Sequence, residues 1–128
     1  MRTTLIWATI FGATGILLGA LGAHALKSML DVNQLQSFET GVRYQMYHAL
    51  FLLLLALLQK SALIKSATPI RNITIVGVFA FSGSIYLLNL QHVIGVDLSF
   101  LGPITPLGGL ALISAWLLVF MQALRFKA

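Results

Sequence analysis

Four long apolar segments constrain the fold of this sequence more than any other feature. Each holds about the 20 apolar residues that a helix needs to cross the hydrocarbon core of a bilayer, which is about 30 Å thick. None shows the period-two alternation of a half-buried strand, so we expect helices. The segments run over about residues 3–23, 42–64, 73–90 and 105–124 of a single domain, 1–128. The sequence therefore predicts an all-α fold, a four-helix transmembrane bundle.

The charged residues are too few to cover a surface that faces water. They make up 9% of the chain, against 59% hydrophobic residues, whereas soluble domains contain about 25% charged residues. The bilayer must be the solvent for most of the chain, and we expect membrane lipids as partners. The formal charge of +5 would suggest nucleic acid as the partner of a soluble protein. We expect no nucleic-acid partner here, because the sequence has no nucleic-acid-binding motif.

The basic residues are divided unequally between the two sides of the predicted bundle. Four spans place the N-terminus, the second loop and the C-terminus on one side, which carries Arg2, Lys60, Lys65, Arg71, Arg125 and Lys127. The other side carries two basic residues and all three acidic residues, namely Lys27, Arg43, Asp31, Glu39 and Asp97. The positive-inside rule then predicts a multi-pass protein of the cell inner membrane, with both termini cytoplasmic.

The segments between the spans carry two further local signals. Residues 24–41 mix charged residues with leucine, methionine and phenylalanine, which is typical of an amphipathic segment at the membrane interface. Thr105 followed by Pro106 is typical of a helix start, with a capping hydroxyl and then proline at the first helical position.

Small residues form a stripe on the first helix and a weaker one on the fourth. Side chains this small let another helix backbone approach closely. The stripe on the first helix includes Gly12, Gly15, Gly19 and Gly22, and the fourth helix contributes Gly108, Ala111 and Ala115. One interpretation is tight packing within the chain, and the other is the interface of a homo-oligomer or of a membrane-protein partner.

Polar residues of the second and third helices are expected to lie toward the non-cytoplasmic side. Glu39 and Arg43 are spaced i,i+4, so they can pair on one face of the second helix. Gln45 and His48 lie on the opposite face. The candidate cluster is His24, Glu39, Arg43, Gln45, His48, Ser82, Tyr86, Asn89 and His92.

Two interpretations of this cluster remain open, because buried polar groups in lipid must find partners. In the first, the side chains bond to one another and fix the helix register: Gln45, His48, Ser82, Tyr86 and Asn89. In the second, the cluster binds a ligand, a quinone or a metal ion.

Motifs that carry chemistry are absent from the sequence. No acidic residue lies in the middle of a span, and there is no HExxH, G-x-S-x-G or P-loop motif. Cysteine is also absent, which excludes thiolate ligands and cysteine nucleophiles. We therefore expect a protein that is not an enzyme, with no catalytic residue, no cofactor and no metal site.

Four stretches of the sequence resemble a known family. They are GALGAHAL (19–26), TGVRYQMYHAL (40–50), FSGSIYL (81–87) and GPITPLGG (102–109). The family consists of small four-span bacterial inner-membrane proteins catalogued as a domain of unknown function, with a related mitochondrial transmembrane protein in animals. The resemblance implies the fold and the location, but no activity and no catalytic residue.

The sequence therefore predicts a small integral membrane protein of unknown activity. The leading hypothesis is a non-enzymatic structural, assembly or lipid-interacting factor. The alternative is a ligand-binding or transport protein that uses the candidate polar cluster.

Overall fold

Four helical spans make up the protein. The computed structural model describes residues 1–125, and these residues contain helices and turns but no strand. Helix α1 covers Arg2–Ala23 and helix α2 covers Val32–Lys60. The third span consists of α3, a π-helical segment and α4, and the fourth is α5: Ala67–Val78, Phe79–Gly83, Ser84–Ile94 and Ile104–Leu124. All four are long and apolar enough to cross a membrane, which confirms the predicted fold class.

Helix α2 begins ten residues before the predicted span 42–64, and ends at Lys60. A capping box starts it: the Gln34 backbone N–H donates to the Asp31 carboxylate (2.8 Å), and the Asp31 N–H donates to the Gln34 side-chain oxygen (3.0 Å). Residues 24–41, expected to form an amphipathic segment at the membrane interface, do not form one continuous element. The first part forms a short 3-10 turn at Ala25–Ser28, and the last ten residues are the first turns of α2.

The third span is also longer than predicted, because it runs from Ala67 to Ile94 rather than over 73–90. Pro69 is the third residue of α3. Proline is tolerated there because it lacks a backbone N–H, and the N–H groups of the first turn have no acceptor within the helix. Gly95 ends α4 in the left-handed conformation, with φ +76°, which is a common glycine role after a helix.

The start of α5 differs from the prediction as well. The helix begins at Ile104 and Pro103 is its N-cap residue, without a side-chain capping bond. Thr105 lies inside the first turn, and its hydroxyl is 2.6 Å from the Ser84 hydroxyl at the start of α4. Its hydroxyl therefore links the last two spans instead of capping a helix.

The glycine stripe of α1 packs against α2. A Cβ added at Gly12 would lie 3.9 Å from Ala49, one at Gly19 would lie 3.3 Å from Val42, and one at Gly22 would lie 3.2 Å from the Phe38 ring. The contacts run in opposite directions along the two helices, so α1 and α2 form an antiparallel hairpin. The stripe serves packing within the chain, as in the first of the two interpretations above.

The third and fourth spans form a second antiparallel hairpin, and its closest contact is at the π-helical segment. A Cβ added at Gly108 would overlap the backbone nitrogen of Phe81 and lie 2.7 Å from the carbonyl carbon of Ala80. Ala115, further along α5, is completely buried, and Ala111 is half-buried. Such backbone-to-backbone proximity requires glycine at position 108.

The two hairpins meet through α2 and the third span. Within an apolar 18-residue stretch of each span, buried residues make up 44% and 39% in these two spans, against 22% and 17% in the first and fourth. The outer spans consequently present large apolar side chains outward, including Leu17, Leu117 and Phe120, which are all more than half exposed. In a bilayer these side chains contact lipid.

A pair of adjacent glycines tests the close contact of α5. Gly108→Ala should destabilise the protein by about 1–3 kcal/mol, because its Cβ overlaps backbone atoms that cannot rotate away. Gly109→Ala is the matched control, since its Cβ would lie 3.6 Å from the Phe81 ring, which is ordinary contact. Thermal unfolding in detergent measures both. Equal melting temperatures for the two variants would contradict the contact.

Candidate functional site

The side-chain amide of Gln45 joins three helices. Its nitrogen donates to the backbone carbonyl of Phe11 (2.9 Å) and to the hydroxyl of Thr14 (2.8 Å), both on α1. Its oxygen accepts a bond from the Tyr86 hydroxyl on α4 (2.8 Å). Gln45 is 4% exposed, so both of its N–H groups and its oxygen are satisfied inside the bundle.

A second interior contact joins α2 to the π-helical segment. The Ser82 hydroxyl donates to the backbone carbonyl of Gly41 at 2.7 Å, and both residues are buried. A Cβ at Gly41 would lie 2.8 Å from the Tyr86 ring, so a larger residue would push Tyr86 away from Gln45. Glycine at this position thus permits both interior bonds.

A third contact lies one to two turns nearer the loop end of α4. The Asn89 side-chain nitrogen donates to the Ser37 hydroxyl (2.9 Å) and to the Ile85 carbonyl (2.8 Å). Asn89 is buried, and Ser37 is on α2. The three contacts therefore line the interface between α2 and the third span, and we call Gln45, Ser82, Tyr86 and Asn89 the interior network.

His48 is buried but only half satisfied. Its Nδ1 lies 2.8 Å from the backbone carbonyl of Tyr44, one turn earlier on the same helix. Its Nε2 has no hydrogen-bond partner within residues 1–125, although the residue is only 4% exposed. A neighbouring aromatic ring, that of Phe51, has its centroid 6.0 Å from the imidazole. His48 is therefore not joined to the interior network by a side-chain bond.

The remaining predicted cluster residues lie outside the bundle interior. His24 and His92 are exposed. Arg43 and Glu39 approach at 3.8 Å, and each side chain is 60% exposed, so their attraction is weakened by solvent. Within the described chain no hydrogen bond connects these four residues to the interior network. The predicted nine-residue cluster thus separates into a buried network, a half-satisfied histidine and four exposed residues.

The connection between α4 and α5 contains a carboxylate, that of Asp97, whose pKa is lowered. The Asp97 carboxylate accepts bonds from the hydroxyl and from the backbone N–H of Ser99. These bonds favour the ionised form and lower the pKa of Asp97. The two bonds stabilise a turn outside the spans, and they do not involve the interior network.

Sequence reasoning missed three residues that bond across helix interfaces, namely Thr14, Ser37 and Thr105. Ser37 lies four residues before Gly41 and therefore on the same helical face, a periodic signal that the sequence does contain. Thr14 and Thr105 carry no such signal. In the structure Thr14 accepts a hydrogen bond from Gln45, and Thr105 shares one with Ser84, each across a helix interface.

Among the described residues, no group of three His, Asp or Glu side chains could hold a metal ion. The interior network offers hydroxyl and amide groups that are already bonded to one another. This arrangement can hold helices in register, and it contains no nucleophile paired with a base.

Residues 18–109 match the family model described as "Protein of unknown function (DUF423)". The chain belongs to this family. The match covers the interior network and the close contact at Gly108.

Relatives that align with this DUF423 chain over nearly its whole length include bacterial membrane proteins. The "UPF0382 membrane protein YwdK" of Bacillus subtilis is 38% identical, covering 98% of this chain and 99% of the relative. The "UPF0382 inner membrane protein YgdD" of Escherichia coli strain K12 is 32% identical, covering 98% and 92%. No solved structure matches the chain. The protein is thus a small integral membrane protein of a family without a known function, and the relation to an animal mitochondrial protein stays a prediction.

Removing the amide of this DUF423 chain tests the interior network. Gln45→Leu should lower the free energy of unfolding by about 1–3 kcal/mol, because the Tyr86 hydroxyl loses its acceptor in a buried site. Tyr86→Phe should cost less, about 0.6 kcal/mol and at most about 1.7 kcal/mol, the average and the maximum for interhelical bonds in a membrane protein. Tyr47→Phe is the control, since Tyr47 is 52% exposed on the same helix.

The double variant Gln45→Leu/Tyr86→Phe completes the cycle, measured by unfolding in detergent. Because the two side chains share a bond, the double variant should lose less stability than the sum of the single variants. Purely additive losses would show that the two side chains do not interact.

Proposed function

We propose that this protein is a non-enzymatic membrane factor, which acts in structure or assembly or by interacting with lipids through its outer faces. The observation that carries the proposal is the interior network. The polar side chains between α2 and the third span bond to helices of the same chain, including all donors and the acceptor of the Gln45 amide. They therefore serve the scaffold, which leaves the outer faces for recognition.

The outer face between α1 and α2 supports a role in lipid contact. A groove of about 380 Å³ runs along the glycine stripe, past Gly15 and Gly19, and ends beside Glu39 and Arg43. Its walls are mainly apolar, including Ile16 and Met46. An apolar groove with a charged pair at one end is compatible with a lipid chain and its headgroup.

The proposed orientation places both termini in the cytoplasm and the protein in the cytoplasmic (inner) membrane. The support is the division of the Lys and Arg residues, six on the side of the termini and two on the other. We call the side of the termini the basic end; within the described chain it carries Arg2, Lys60, Lys65, Arg71 and Arg125.

Reporter fusions test this orientation. An enzyme that is active only in the periplasm should be inactive when fused after residue 128, and active when inserted near Val96 in the connection between α4 and α5. The same insertion in the connection near Lys65 should be inactive and serves as the internal control. The reverse pattern would reject the orientation.

Purification from native membranes in a mild detergent tests the proposed function. Mass spectrometry of the purified protein should find lipids, or a membrane protein in stoichiometric amount. The contrary result is a stoichiometric small molecule or metal ion that is lost in the Gln45→Leu variant but kept in Tyr47→Phe. That outcome would assign the interior network to ligand binding.

One observation favours the alternative, a ligand-binding or transport protein. The buried Nε2 of His48 has no partner within the described chain, and buried polar groups are usually bonded. If a metal ion fills this position, His48→Gln should lose it as completely as His48→Leu, since an amide replaces imidazole poorly. If the role is structural, His48→Gln should keep the stability of the parent protein better than His48→Leu, and neither metal content nor bound ligand should change.

A further inference from the structure

A second groove lies at the basic end, between the third and fourth spans. It has a volume of about 770 Å³, within the range of ligand sites in proteins. One wall comes from the connection that precedes α3, and the other from the last turns of α5. Its lining includes Leu63, Lys65, Leu118, Met121, Gln122 and Arg125.

The side chain of Gln122 joins the two walls of this groove. Its oxygen accepts bonds from the backbone N–H groups of Lys65 (3.1 Å) and Ser66 (3.3 Å), and its nitrogen donates to the Ser66 carbonyl (3.0 Å). These bonds join backbone atoms of the connection between α2 and α3 to a side chain of α5. The Lys65 side chain, which is on an exposed residue, remains available for a ligand.

The charges of the groove are not balanced by acidic side chains. Lys65 and Arg125 both line it, and both are exposed. The acidic residues of the chain are Asp31, Glu39 and Asp97. Asp31 and Asp97 lie in the connections and Glu39 lies in the first turns of α2, all at the opposite end of the bundle. A helix crossing the membrane separates the two groups by about 30 Å, which is too far for an ion pair between them.

The start of α3 adds to this positive potential. Its N-cap residue, Ser66, makes no side-chain capping bond, and no acidic residue occurs in the first turn. The first N–H groups of a helix carry partial positive charge and favour anions. Ser66 and Pro69 also line the groove, so this helix end opens toward the two basic side chains.

We propose that this groove binds an anionic phospholipid, with its phosphate between Lys65 and Arg125 and an acyl chain along Leu118 and Met121. The inference rests on the proposed function and names the lipid class for it. Two cations beside an apolar wall match a headgroup phosphate joined to hydrocarbon. Basic pockets between transmembrane helices at the cytoplasmic side recognise such lipids.

The test uses the full chain in a mild detergent, with phosphatidylglycerol and phosphatidylcholine as probes and native mass spectrometry as the readout. Phosphatidylglycerol should remain bound and should raise the melting temperature, whereas phosphatidylcholine should do neither. Lys65→Gln/Arg125→Gln should weaken phosphatidylglycerol binding about 25-fold, as expected for two lost charges of about fivefold each.

The matched control is Arg2→Gln/Lys60→Gln, which removes the same charge from the basic end outside the groove. It should retain binding within about threefold of the parent protein. Equal losses in the two double variants would assign the effect to the overall charge and overturn the proposal. Equal melting temperatures of the two double variants in phosphatidylcholine confirm that folding is unchanged.

Two other occupants give distinct results. If inorganic phosphate raises the melting temperature as much as phosphatidylglycerol, the site is a simple anion site and the lipid proposal is wrong. If Lys65→Gln/Arg125→Gln changes the oligomeric mass, a second copy covers the groove. Failure of lipid selectivity overturns this site alone, whereas a small molecule or metal bound at the interior network overturns the proposed function.

Discussion

The single amide of Gln45 is the interaction on which the arrangement of the first three spans depends. It bonds to the backbone and a hydroxyl of α1 and to Tyr86 of α4. The hydrocarbon core offers no water as a substitute partner, so a rotation of α2 or a shift along its axis would leave several of these groups unpaired. The same bonds therefore fix register and rotation together, which a purely apolar interface in lipid does less specifically.

This bonding needs helices that approach closely, and glycine supplies the space. Gly41 admits the Tyr86 ring, the stripe of α1 admits α2, and Gly108 admits the backbone of the π-helical segment. The π-helical segment Phe79–Gly83 contains Ser82, and the same segment makes the close contact with α5. Polar bonds and small residues thus act together, because the bonds of Gln45 and Ser82 lie beside Gly15 and Gly41.

Length and hydropathy were sufficient to predict four helices, and small-residue spacing was sufficient to find the packing stripe on α1. The start of α2 was missed because its first turns are polar and were assigned to the interfacial segment. In the structure Asp31 and Gln34 form a capping box there. The partners of Gln45 could not be predicted, since they depend on how three helices rotate against one another. The exposed positions of His24 and His92 show that sharing one side of a membrane does not bring residues together.

The central claim is that α2 and the third span meet along the polar face that carries Ser37 and Asn89, and cross-linking tests this arrangement most directly. The chain has no cysteine, so the pair Ser37→Cys/Asn89→Cys can be joined by a short thiol-specific reagent in native membranes and detected as a linked peptide pair by mass spectrometry. The control is Ser37→Cys/Leu87→Cys, because Leu87 is exposed and two residues from Asn89, on another face of α4. The account predicts efficient linkage of the first pair and little of the second. Equal linkage of both, or none in the first, would contradict it.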